Sequence, residues 1–108
     1  MVARNEKNEI FACGIYHYPS YSYLIKETQK KTNAKLLMGH DNGYGREDWT
    51  RLSDHFAFHR KEIPFLYIGA EDHPDYHKPT DTYDKIDLAS YIENCNMIVL
   101  LIKILKSL

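Results

Sequence analysis

An α/β layered fold is predicted for this chain, on three observations. Short apolar runs alternate with stretches of helical periodicity, in the order strand, helix, strand, helix, strand, helix. The third apolar run is continuous, as in a strand buried on both faces of a parallel sheet. A length of 108 residues allows one domain at most.

Each element follows from its residues. Ile10-Phe11-Ala12-Cys13-Gly14 is a short apolar strand. Ser20 is an N-cap candidate for a helix over 21–32, with Tyr21, Leu24, Ile25 and Thr28 on one face, ending at Asn33. Lys35-Leu36-Leu37-Met38-Gly39 reads as the second strand. From Gly39 to Thr50 the chain is polar, with three Gly and no periodicity, which is a long loop of the kind that often carries function. Ser53 is placed to cap a short helix over 54–61. Ile63-Pro64-Phe65-Leu66-Tyr67-Ile68 forms the third strand, with Pro64 at its start because proline cannot donate to the ladder. Glu71 to Thr82 is a polar loop beyond that strand's C-terminal end, where open α/β sheets bind ligands. Asp87 caps the last helix, whose Leu88, Tyr91, Ile92, Cys95, Val99 and Ile102 follow helical spacing and are expected to face the core.

Composition removes several function classes. Fourteen Lys and Arg against fifteen Asp and Glu give a net charge of −1, and the pI is about 6.6. A dedicated nucleic-acid binder would be basic. A hydrophobic content of 44% excludes a disordered chain. No 18-residue apolar run exists, which argues against a membrane span. Asn94, Asn96 and Lys103 interrupt the apolar last helix, so it reads as a core helix. That helix and the third strand are apolar enough to expect more protein around them. The start, Met1 to Lys7, is polar and carries no signal peptide, and Cys13 and Cys95 are too few for a disulfide framework. The compartment is not readable.

Two clusters hold the chemistry-bearing side chains. In the first, Ser53-Asp54-His55 is followed by His59, and His55 and His59 at i, i+4 have metal-ligand spacing. Phe56 stands where the zinc-protease motif H-E-x-x-H needs Glu. Three consecutive residues cannot converge as a Ser-His-Asp triad does. The plainer reading has Ser53 and Asp54 capping a helix and His55 orienting a neighbouring loop. The second cluster is His73-Pro74-Asp75-Tyr76-His77-Lys78-Pro79-Thr80-Asp81. Histidine on a proline-stiffened loop suits zinc, and Asp81 could orient a ligand histidine from behind. The plainer reading is a surface loop with two solvated histidines. A self-contained site from His55, His59, His73 and His77 is a third option.

The second cluster, with Ser53-Asp54-His55-x-x-Phe58 and Ile63-Pro64, resembles the C-terminal part of the co-catalytic two-zinc aminopeptidases. That family also holds glutamate-carboxypeptidase-like enzymes and glutaminyl cyclases. The resemblance runs over residues 1–95, with Glu62 where Gly is usual. It implies a three-layer domain with a mostly parallel sheet flanked by helices, of which residues 1–108 would be the C-terminal portion. It implies zinc as cofactor, a peptide as substrate and hydrolysis of the peptide bond. It makes His77 a metal ligand, the one retained of five. Ser53, Asp54, His55, Tyr76 and Asp81 would support the site, and Trp49 and Thr50 would line the substrate pocket. Tyr76, where the cyclases usually carry Trp, points to the peptidase branch. The remaining ligands and the general base would lie upstream, and Met1-Val2-Ala3-Arg4 resembles the residues directly after one ligand Asp. The isolated chain is therefore expected to be inactive, and to self-associate or pair with its missing N-terminal half. The competing expectation is a binding module that kept the fold and lost the chemistry.

Overall fold

The structure is a computed structural model and describes residues 2–4, 7–42 and 46–107. The part of the long-loop reading that falls on residues 43–45 lies outside the described residues, as does Met1. Three strands, β1 (Glu9–Cys13), β2 (Lys35–Met38) and β3 (Tyr67–Gly69), form one sheet in the order β2-β1-β3. Three α-helices accompany them: α1 (Ser22–Lys31), α2 (His55–Arg60) and α3 (Leu88–Lys106).

β1 is the centre of the molecule because its side chains alternate between two apolar layers. Ile10 and Ala12 pack with Leu24 and Ile25 of α1, Leu36 of β2, and Met97 and Leu101 of α3. Phe11 and Cys13 point the other way, to Trp49 and Phe65. β1 and β2 run parallel with α1 between them in sequence, and Ile10 pairs with Leu36. Leu24, Ile25 and Thr28 are the buried face of α1, and the Thr28 hydroxyl is spent on the Leu24 carbonyl at 2.8 Å.

Several expectations are corrected. The sheet is mixed, not mostly parallel, since β3 runs antiparallel to β1 with Ala12 opposite Ile68. β3 covers three residues only; Ile63 and Pro64 are exposed ahead of it. The apolar run reads as a long strand, but Phe65 leaves it to fill the second layer. α1 is capped by Tyr21, not Ser20, because Pro19–Tyr21 forms a 3₁₀ turn that carries the chain into the helix. α2 takes Asp54, not Ser53, as its N-cap, without a side-chain bond.

α3 begins as expected at Asp87, whose carboxylate accepts from the Ser90 N–H at 3.3 Å. Its buried stripe is different. Asn94, Met97 and Leu101 face the protein, while Leu88, Ile92, Val99 and Ile102 are each about half exposed. The Asn94 side-chain amide donates to the Val2 carbonyl at 3.0 Å, and the Ser90 hydroxyl donates to the Asn8 side chain at 2.8 Å. Those bonds fix the polar stripe inward, where a buried amide is satisfied. By length and composition α3 also suffices to cross a membrane, so run length does not exclude a span; here one side packs on α1 and the sheet.

Candidate functional site

The loops at one end of the sheet enclose a cavity of about 690 Å³. Its aromatic wall is Trp49, Tyr67 and Tyr76. Its polar groups are Glu47, Asp72, His73, His77, Lys78 and Asp81, with Ser53, Leu52 and Ala70 completing the lining.

Trp49 is fixed on several sides. The His40 ring stacks on it at 3.6 Å and 5°. Its backbone N–H donates to the His40 carbonyl at 2.6 Å. Its own carbonyl accepts from His55 Nε2 at 2.8 Å. His40, at a φ of 60°, is held by the Glu47 carbonyl at 2.7 Å and the Glu71 carboxylate at 3.1 Å. The buried His55 ring also stacks on Tyr67 at 4.2 Å, and among the described residues its Nδ1 has no hydrogen-bond partner. The Ser53 side chain bonds that of Tyr67, and burial raises the Tyr67 hydroxyl despite that bond. Asp54 is exposed at the start of α2.

Thr50 does not line the cavity. Its hydroxyl donates to Asp48 at 2.6 Å and lies 3.0 Å from His17 Nε2. Burial pushes the Asp48 carboxyl up, but the hydroxyl and backbone N–H of Thr50 outweigh it, and it lies below the usual range. His59 also turns that way, sharing a 2.8 Å bond with the Tyr18 hydroxyl and lying 4.6 Å from the His17 ring.

The 71–82 loop has little regular structure, so polar ties define it. Arg4 reaches into it from the start of the chain, donating to Asp75 at 2.9 Å and to Asp81 at 2.8 Å. Its guanidinium is raised by Asp81 first and Asp75 second. The Asp75 carboxyl is held well below the usual range, mainly by the Thr80 hydroxyl, then Arg4, with Lys85 adding to both. The Asp75 N–H donates to His73 Nδ1 at 3.3 Å, which leaves the proton of a neutral His73 on Nε2, facing Asp81 at 3.6 Å. Asp81 thus stands against Arg4 and His73 rather than His77. His77 is exposed, adopts a φ of 58°, and stacks its ring on Tyr76 at 3.9 Å and 18°. That left-handed backbone is uncommon for a side-chain-bearing residue, and His77 lines the cavity.

Of the residues singled out in the sequence, Trp49, Ser53, Tyr76, His77 and Asp81 come together around the cavity, and Thr50 and Asp54 do not. His55 stands behind the wall. Glu47, Asp72, Tyr67 and Arg4 were missed. Arg4 has no local signal, since its partners lie 71 and 77 residues away. The four-histidine site is not formed: His55 and His59 are engaged elsewhere, and among the described residues no three His, Cys, Asp or Glu side chains converge to hold a metal.

The family model described as Peptidase family M28 matches residues 1–102. No curated protein and no solved structure matches the chain.

Proposed function

The chain belongs to peptidase family M28, a family of metallopeptidases, and from that premise we propose that it forms part of a zinc-dependent aminopeptidase. In this reading residues 1–108 are the C-terminal portion of a three-layer peptidase domain. The observation that carries it is the cavity, where His77 meets an aromatic wall and three carboxylates. The family's cofactor is zinc, but the donor set described on this chain does not fit a complete zinc centre. One imidazole holds zinc weakly. His77 is therefore one ligand of a site whose other ligands come from residues outside this set.

The chain's own contribution is binding and orientation. With Asp81 tied to Arg4, Glu47 and Asp72 still outnumber Lys78 at the cavity, so an ammonium group is favoured there over a carboxylate. Trp49, Tyr67 and Tyr76 offer apolar faces to the side chain beside that ammonium. The His40 stack and the His55 bond hold the wall in place.

Trp49 is the sole tryptophan, so its fluorescence reports on the cavity directly. Leucinamide is expected to change that signal saturably, and N-acetyl-leucinamide is expected not to. Equal responses to both, or none to either, would remove the cavity as the site for a free amino terminus. With zinc added, the isolated chain is expected to release no leucine from a leucine anilide; release would show that the site is complete after all. A cavity formed without a full ligand set also supports a second reading, a binding module without catalysis. Amine binding that persists unchanged in His77→Ala, with no zinc binding at all, favours that module.

A further inference from the structure

Trp49 also lines a second, smaller hollow of about 380 Å³, with His40, Arg46, Glu47, Glu71 and Asp72. His40 is buried there, and both of its ring nitrogens are engaged. Nδ1 lies 2.7 Å from the Glu47 backbone carbonyl, and Nε2 lies 3.1 Å from the Glu71 carboxylate. Neither oxygen has a hydrogen to give. A carbonyl only accepts, and Arg46 donates to the same Glu71 oxygen at 2.7 Å, as it does to a carboxylate. A neutral imidazole has one N–H and one bare nitrogen. Either tautomer would set a lone pair against an oxygen, at 2.7 Å or at 3.1 Å. The imidazolium, with a proton on each nitrogen, satisfies both contacts. We propose that His40 is a protonation-dependent positioning residue: as the imidazolium it ties the Glu47 carbonyl to Glu71 and holds Trp49 flat against it, and loss of one proton releases that hold.

The surroundings suit a cation. Among the described residues lining the hollow, Glu47, Glu71 and Asp72 stand against Arg46 alone, and an excess of negative charge attracts a positive ring. Asp41, next to His40 in the chain, is a buried carboxylate that accepts from the Gly14 and Tyr16 N–H groups. β1 sets no charge against the ring. Phe11 meets it edge-on at 4.6 Å, and the Cys13 thiol keeps its hydrogen and donates it to the His40 carbonyl at 3.3 Å. The Trp49 indole lies 3.6 Å away and within 5° of parallel, where an aromatic face attracts a cation. The tied segments border the cavity, with Glu47 and Trp49 on one side and, beyond Glu71, Asp72 to Asp81 on the other. A histidine is charged below its titration and neutral above it. The hold is therefore present at low pH and lost as pH rises through about 6–8. The device operates whatever ligand the cavity takes.

The sole tryptophan makes the test specific, because a protonated imidazole stacked on an indole quenches its fluorescence more than a neutral one. Emission of the full chain is expected to rise in one step between about pH 5.5 and 8.5. Acrylamide access to the indole is expected to rise at the same midpoint. Long-range proton–nitrogen spectra are expected to show two N–H nitrogens on His40 below the step. His40→Gln is expected to abolish the step. Glu71→Gln, at a partly exposed position, keeps the ring and its stack but removes the anion. It is expected to lower the midpoint by about one pH unit, and it carries the test by itself if His40→Gln does not fold. A flat pH profile, acrylamide access unchanged across the step, or a step that survives in folded His40→Gln would each overturn the proposal. So would a single N–H on His40 at about pH 5.5, or a midpoint unmoved in Glu71→Gln.

Discussion

Gly14 turns the chain out of β1 at a φ of +127°, and a Cβ there would stand 2.6 Å from the Phe65 carbonyl oxygen. Neither the backbone angle nor the space admits a side chain. Gly14→Ala is expected to cost roughly 2–3 kcal/mol of stability, read as a lower urea midpoint with an unchanged slope. At Asp75 the consequence is one of pH. Its folded carboxyl lies below the usual value, held by Thr80, Arg4 and Lys85. Such a group stabilises the fold fully above the unfolded pKa of about 4. That stability is lost as pH falls through the lower folded value. The stability gap between wild type and Asp75→Asn is expected to be full at pH 6–7 and to narrow below about pH 4; a gap independent of pH would show that the Arg4 tie is not electrostatic. The Cys13 thiol is pushed up to about 12, by burial first and the nearby Asp41 and Asp48 second, so it is a core residue and not a nucleophile.

α2 ends in a Schellman arrangement. The Ile63 N–H bonds the Phe58 carbonyl and the Glu62 N–H the His59 carbonyl, both at 3.0 Å. Glu62 sits at the position that needs a left-handed backbone, with a φ of 59°. This is the physical reason that glycine is usual there in the resembling enzymes. Glu62→Gly is expected to stabilise the chain by about 0.5–1 kcal/mol, measured by thermal unfolding; destabilisation would mean that the Glu62 side chain has a partner worth more than the strain. Elements with one apolar stripe were legible in the sequence, as α1 shows with Leu24, Ile25 and Thr28. α3 has two stripes, and apolarity alone selects the wrong one. The deciding bonds, Asn94 to Val2 and Ser90 to Asn8, span more than 80 residues and have no local trace. The third apolar run misled for a related reason. Its composition is that of a buried strand, but its register with β1 leaves only Tyr67–Gly69 paired.

At the scale of the whole molecule, two layers close on β1 and the loops at one end of the sheet gather the site. The loop carrying His77 was legible because proline, histidine and aspartate crowd into nine residues. Its anchoring was not, because Arg4 belongs to the other end of the chain. The Ser53-Asp54-His55 segment stands out in the sequence, but where its side chains go does not: the His55 bond to the Trp49 carbonyl depends on how α2 docks. We propose that this chain contributes a cavity and one ligand, His77, to a zinc centre that it does not complete. The most direct measurement is a zinc titration of the purified chain, followed through the imidazole resonances of its six histidines. Weak binding is expected, with a dissociation constant above about 10 µM, centred on His77 and lost in His77→Ala. Stoichiometric binding at nanomolar zinc, or binding untouched by His77→Ala, would contradict it.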